Sequence, residues 1–411
     1  MRPVLLRLYK IDMNFPRIRY IEAQPFKQEG KELVLLKDAE GIMENPLIVS
    51  KDLVFLLSLM DGTRSLRDIQ TEYTKAFGKL LHIEHIQQLV EDMDKNLLLF
   101  SENFKQHLAA LKKTYENDPV RKPYHAGKSY QANRMELLAF LDEMFRTEKK
   151  EAPKGRITGL LAPHIDYGRG AEVYRDTYSY LKGQGKSLLI IFGTSHYPTE
   201  KIWSISSKSF STPLDTIQNS EEFCRLINDN DVLKDYIDEW PHRNEHSIEL
   251  QLPLIQFMIQ DNFEILPILT GSLHEYVAGN KNIETDQELI DIIDNFKSVL
   301  AGYGKPYIII SGADLAHIGA QFGDKYSLDA LTLDQSATKD EELLRCISNV
   351  DADGFFKTIQ NEGDERRICG LTPIYFQLKL LEGSTGEVVS YKQWTDGQSS
   401  VSFAGGLFYH K

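Results

Sequence analysis

From residue 156 onward, short apolar runs alternate with amphipathic stretches. ITGLLAP (157–163), SLLIIFG (187–193), FEILPILTG (263–271) and PYIIISG (306–312) each run into a polar turn. Runs apolar on both faces predict buried, mostly parallel strands, and helical spacing over 169–181, 247–260 and 287–300 predicts helices between them. The alternation predicts an α/β domain on a largely buried central sheet. The C-terminal EVVSYKQWTDGQSSVSFAGGLFYH (387–410) predicts two antiparallel strands that close this sheet or extend its edge.

The earlier part of the chain has a different rhythm. ELVLLKD (32–38) reads as a strand, followed by helices over 53–60, from a Ser65 cap onward and around 85–95, with a turn at Asp61 and Gly62 and an LLLF strand at 97–100. That order predicts a small winged-helix-like unit over 1–120 ahead of an α/β domain over 121–411. Pro119, Pro123 and Gly127 break regular structure near the boundary. A helix is expected over 134–145, and the charged stretch 146–156 reads as a solvated connector.

Composition narrows the function classes. The 411 residues are 42% hydrophobic and 26% charged, which predicts a folded globular protein. A formal charge of -13 argues against nucleic acid as a partner. Three cysteines cannot form a disulfide scaffold in a chain of this length, so a reducing cytoplasm is the expected location. The apolar start of the chain is too short for a signal peptide and no stretch reaches membrane-spanning length, so no membrane association is expected.

Candidate chemistry gathers where apolar runs end, the place where α/β sheets bind ligands. APHIDYG carries His164, GTSHY carries His196, and SGADLAHIG carries Asp314 and His317. Two imidazoles at successive strand ends suit a metal, although a lone loop histidine usually just satisfies a carbonyl. If ADLAH turns helically, Asp314 and His317 face one cavity as acid and base or as further ligands; capping is the plain alternative for Asp314. Cys369, in RRICGLTP, precedes a helix near Arg366 and Arg367, which predicts a lowered thiol pKa. Cys224 and Cys346 read as small buried hydrophobes. In NEHSIELQ, capping and helix-dipole complementarity account for Asn244 and Glu245. His246 is left over, and with Glu249 it is expected to face the same cavity. A serine-nucleophile reading of Ser195 lacks an oriented histidine and acid.

Taken together, HAGKSYQAN (125–133), LLAPHIDYGRGAEVY (160–174), FGTSHY (192–197), STPLD (211–215), NEHSIELQLPLIQ (244–256), ADLAH (313–317) and CGLTPI (369–374) resemble the Memo family. The resemblance implies a fold similar to the class III extradiol dioxygenases, in which two histidines and a carboxylate hold non-haem iron. It implies iron or copper at His164, His196 and Cys369, the cysteine standing where the carboxylate would be, with Asp314 and His317 bordering the site. A thiolate shifts preference toward copper(I), zinc or a more strongly donating iron site. Ile165 and Asp166 depart from the small residues frequent after this histidine in the family, and Asp166 either adds a carboxylate or begins the loop.

The branch called AmmeMemoRadiSam system protein B is associated with an AMMECR-type protein and a radical SAM protein. The DGTRSLRDI turn and the third helix, around 85–95, resemble the PqqD-like winged-helix family over roughly residues 40–100, a family that includes peptide-recognition modules. The expected function is therefore a metal-dependent redox protein acting on a peptide or protein substrate with those partners, His246 contacting substrate. A non-enzymatic peptide- or metal-binding adaptor and a zinc-dependent hydrolase are the alternatives.

Overall fold

The computed structural model describes residues 12–38, 40–43, 45–147, 155–184, 187–259 and 263–410. The apolar start, most of the 146–156 connector and the end of the helix expected over 247–260 lie outside the described residues. The chain divides into two compact units, Met1–Asn117 and Asp118–Lys411.

The first unit opens with an antiparallel sheet of β1 (Glu22–Gln28), β2 (Lys31–Lys37) and β3 (Leu47–Ser50), followed by helices α1 (Lys51–Ser58), α2 (Leu66–Phe77), α3 (Ile83–Lys95) and α4 (Glu102–Asn117). Ser65 caps α2 in a reciprocal pair with Asp68, which satisfies two orphan donors, and Gly78 ends the helix in the left-handed conformation. Val34, Leu36, Leu57, Met60, Ile69 and Ile86 belong to its core. Among the described residues, the strand expected over 97–100 is a single bridge, Ile18 to Leu99. Leu97 stands in the left-handed region, at φ 61°, which a strand residue does not adopt.

The second unit is mixed α/β. Its strands are β4 (Val120–Arg121), β5 (Arg156–Ala162), β6 (Leu188–Thr194), β7 (Trp203–Ile205), β8 (Ser209–Ser211), β9 (Thr216–Asn219), β10 (Glu264–Thr270), β11 (Tyr307–Gly312), β12 (His317–Gly319), β13 (Thr385–Thr395) and β14 (Ser399–His410). They form one sheet in the order β12-β14-β5-β11-β6-β10-β9-β8-β4, with β13 on β14 and β7 on β10. The run β5-β11-β6-β10-β9 is parallel. The C-terminal pair is antiparallel, as expected, and β14 also pairs with β5.

Helices cover both faces: α5 (Arg134–Phe145), α6 (Tyr167–Tyr178), α7 (Glu221–Asn228), α8 (Leu252–Met258), α9 (His274–Val277), α10 (Gln287–Tyr303), α11 (Ala330–Ser348), α12 (Ala352–Asn361) and α13 (Leu371–Leu380). Strand alternation divides the apolar residues between two cores. Leu188, Ile190 and Phe192 pack with Phe296 of α10 and Phe376 of α13, whereas Leu189 and Ile191 pack with Leu141 of α5, Tyr174 of α6 and Ile255 of α8.

Candidate metal centre

Three neighbouring strands, β5, β11 and β6, run parallel and in register, with Gly312 level with Ala162 on one side and Gly193 on the other. Their carboxyl ends deliver His164, Asp314 and His196 to one level. Side chains at Gly193 or Gly312 would collide with Ser247 and Gln251, so these glycines let the segment after Glu245 close over the strand ends. Gln251, fully buried, fastens that segment by donating to the carbonyls of Pro163 at 3.0 Å and Ser247 at 2.8 Å.

His164 is buried at 3% exposure. Its N–H donates to Asp314 Oδ1 at 2.9 Å, and its Nδ1 lies 2.9 Å from the Gly312 carbonyl. A carbonyl only accepts, so Nδ1 carries the proton and Nε2 keeps its lone pair. Burial, followed by the nearby His196 and His246, holds its pKa well below the ordinary value, so it is neutral.

His196 is the more open of the two, its side chain 34% exposed. Its N–H donates to Glu245 Oε2 at 2.9 Å and its Nδ1 lies 3.0 Å from Oε1. Burial lowers its pKa, but the Glu245 carboxylate outweighs this and the net shift is upward. His246 sits beside it, the two rings stacked 4.5 Å apart, and His164 lies 5.2 Å from His246 edge to face.

Cys369 completes the group. Its Sγ lies 3.2 Å from His164 Nε2, and the donor atoms of His164, His196 and Cys369 all lie within 4.8 Å of one another. The expectation of a lowered thiol pKa is overturned: burial and the Asp314 carboxylate push it well above the ordinary value. The arginines are committed elsewhere, Arg366 to Asp340 and Glu362 and Arg367 to Asp324.

The ADLAH segment is also not helical. Residues 313–316 form no regular element, and His317 opens β12 against β14. Asp314 caps no helix but accepts from the His164 backbone, its Oδ2 3.7 Å from His164 Nε2, and burial pushes its pKa up to about 7. His317 Nδ1 lies 3.0 Å from the Leu315 carbonyl, its ring packs 5.0 Å from Phe322, and burial lowers its pKa to about 4. It belongs to neither group of candidate ligands found among the described residues.

The segment 244–251 corrects two further expectations. Regular helix begins only at Leu252, so Asn244 and Glu245 stand outside a helix's cap and first turn; the Glu245 carboxylate instead receives donors from both His196 and His246. Glu249 does not face the cluster but is buried against Arg121, accepting also from the Tyr124 N–H at 3.0 Å, the His125 N–H at 2.8 Å and the Tyr130 hydroxyl at 2.7 Å. Arg121 also donates to the carbonyls of His242 at 3.0 Å and Glu245 at 2.8 Å, which fixes the backbone beneath His246. Asp166 begins α6 as its cap, and the Ser195 hydroxyl donates to the Tyr197 carbonyl.

Sequence reasoning missed Glu245, Arg121 and His125, whose ring lies 5.6 Å from that of His246. Glu245 alone carried a signal, since a carboxylate beside a candidate ligand imidazole is a common orienting partner.

The donor set is chemically suited to a transition ion. An ion bonded at about 2.0 Å to nitrogen and about 2.3 Å to sulfur holds those atoms roughly 3.0–3.5 Å apart for angles of about 90–109°. The 3.2 Å between Cys369 Sγ and His164 Nε2 falls in that span.

Residues 121–407 match a family described as Memo-like protein. A MEMO1 family protein of Aquifex aeolicus is 30% identical over 403 residues, 96% of this chain and 100% of that one, so the match takes in the first unit as well. A MEMO1 family protein of Thermoplasma volcanium is 30% identical over 246 residues, covering 59% of this chain and 80% of its own. Another, of Methanosarcina barkeri, is 26% identical over 275 residues, 66% of this chain and 92% of its own. With the family match extending from β4 into β14 and taking in every residue of the cluster, the chain belongs to the Memo family.

Proposed function

We propose that the chain is a metal-dependent redox protein that holds iron or copper through His164, His196 and Cys369. The observation that carries this reading is the meeting of two imidazoles and a thiol, with Nδ1 of each imidazole facing an oxygen acceptor and the Nε2 atoms left as ligands. Sulfur with two nitrogens suits copper(I), iron or zinc better than hard cations. A bound ion would supply Lewis acidity and, with iron or copper, electron transfer. Around it, Asp314 borders the ligands and His246 extends the imidazole wall, where both are placed to orient or exchange a proton with a substrate. For His317, whose Nδ1 faces the Leu315 carbonyl, the part we propose is that of an acid–base partner or of a group bordering the ligands.

Elemental analysis of protein purified without oxygen tests the site. Near-stoichiometric iron or copper is expected in the native chain, falling below about a tenth in His164→Ala and Cys369→Ala. Metal retained in both variants overturns the assignment, and stoichiometric zinc with no redox metal turns the reading to zinc-dependent hydrolysis.

The substrate reading is a peptide or protein, worked on together with an AMMECR-type protein and a radical SAM protein, the first unit serving as a PqqD-like docking module. It rests on the family's branch and on the strand-then-helix order of that unit. Tagged full-length chain is expected to co-purify with at least one of the two partners from its native cell. Recovery of neither removes this part of the proposal.

A further inference from the structure

One buried carboxylate serves two imidazoles. Glu245 is 2% exposed, and its Oε1 lies 3.0 Å from Nδ1 of His196 and 3.1 Å from Nδ1 of His246. The same oxygen accepts the backbone N–H of His246 at 2.8 Å and of Ser247 at 3.1 Å, while Oε2 accepts the N–H of His196 at 2.9 Å. We propose that Glu245 is a positioning residue that holds the proton of both His196 and His246 on Nδ1, leaving both Nε2 atoms with their lone pairs.

An ionised carboxylate can only accept, so each Nδ1 facing it must be a donor. A neutral imidazole has a single N–H, so Nε2 is then the lone-pair nitrogen. His164 has its tautomer set by a backbone carbonyl, which no side-chain change removes. His196, the more exposed ligand, depends on Glu245 instead. The stacked rings of His196 and His246 make the arrangement a pair governed by a single group.

The same geometry decides how to read the second set of ligand-type residues, His196, Glu245 and His246. Oε1 already faces four N–H donors, so an ion there would have to displace them. The set is an orienting unit rather than a second ion seat.

The assignment deepens the metal reading, and its consequence for affinity rests on that reading, whereas the tautomers do not. Long-range proton–nitrogen NMR on metal-free, histidine-labelled full chain reads the tautomers directly, with His196→Ala and His246→Ala assigning the signals. At a pH high enough for both rings to be neutral, both are expected as Nδ1–H in the native chain, and at least one is expected to move to Nε2–H in Glu245→Ala, which removes the acceptor. Zinc, as a colourless probe, is expected to bind about 10- to 100-fold more weakly in that variant, the loss typical of an orienting partner. Glu245→Asp, which keeps the charge, is expected to restore part of both signals.

An Nε2–H form of either ring in the native chain overturns the proposal without any variant needing to fold. So do unchanged tautomers in a folded Glu245→Ala. If the tautomers shift as expected but the native chain binds neither zinc, iron nor copper, the positioning role stands and the metal reading falls.

Discussion

Glu245 and Glu249 stand four residues apart, both buried and both held ionised, yet they do different things. Each would be pushed toward the neutral acid by burial, and in each that cost is outweighed. For Glu245 the opposing groups are His196 and His246; for Glu249 they are Arg121, the Tyr130 hydroxyl and His125. A partner that is always charged makes Glu249 a structural knot, tying residues 121–130 to the loop above them. Imidazole partners make Glu245 an orienting group for donor atoms. The partner, and not the burial or the neighbouring sequence, decides the role.

The sharpest break in that comparison comes from Arg121. Arg121→Ala leaves Glu249 buried without its cation and is expected to cost roughly 3–5 kcal/mol of stability. It also removes the donors to the His242 and Glu245 carbonyls. Denaturant unfolding followed by tryptophan fluorescence measures the loss. A double variant, Arg121→Leu with Glu249→Leu, is expected to recover part of it, because no unpaired charge remains. A single variant as stable as the native chain would mean that the pair does not tie these segments together.

This contrast also marks where the sequence was legible. The strands that carry the site announced themselves as apolar runs ending in polar turns, and α5 appeared over the residues expected, because periodicity and capping are local properties. His164 and His196 could be picked out because strand ends are where such sheets place ligands, and Cys369 because a thiol just ahead of a helix stands out. Arg121 and Glu249 are 128 positions apart, and neither residue's neighbours name the other. The thiol of Cys369 was misjudged for the same reason: nearby arginines lower a pKa only if their charge is free, and here Asp340, Glu362 and Asp324 take it. The loop of Asp314 looked helical by spacing, but its backbone is spent on β14 and on the turn before α13. The N–H of Leu315 goes to the Ser402 carbonyl and the N–H of His317 to that of Arg366.

A smaller effect separates Glu249 from Glu245 by pH. The folded-state pKa of Glu249 lies below its ordinary value, since Arg121, Tyr130 and His125 outweigh burial. Such a group contributes stability that is present above the unfolded value of about 4.3 and is lost as pH falls through the lower folded value. Glu249→Gln has no charge to lose at this position. The native chain is therefore expected to exceed it by about 1–3 kcal/mol near neutral pH, with the gap closing as pH falls from about 4.3 through the lower folded value. Comparing the two chains by denaturant unfolding across that range isolates Glu249, because Glu245 contributes its own acid dependence equally to both. A gap that stays constant with pH would show that the Arg121 contact works through packing, not through the charge of Glu249. The distinction between a permanent ion pair and an orienting anion would then have to be drawn elsewhere.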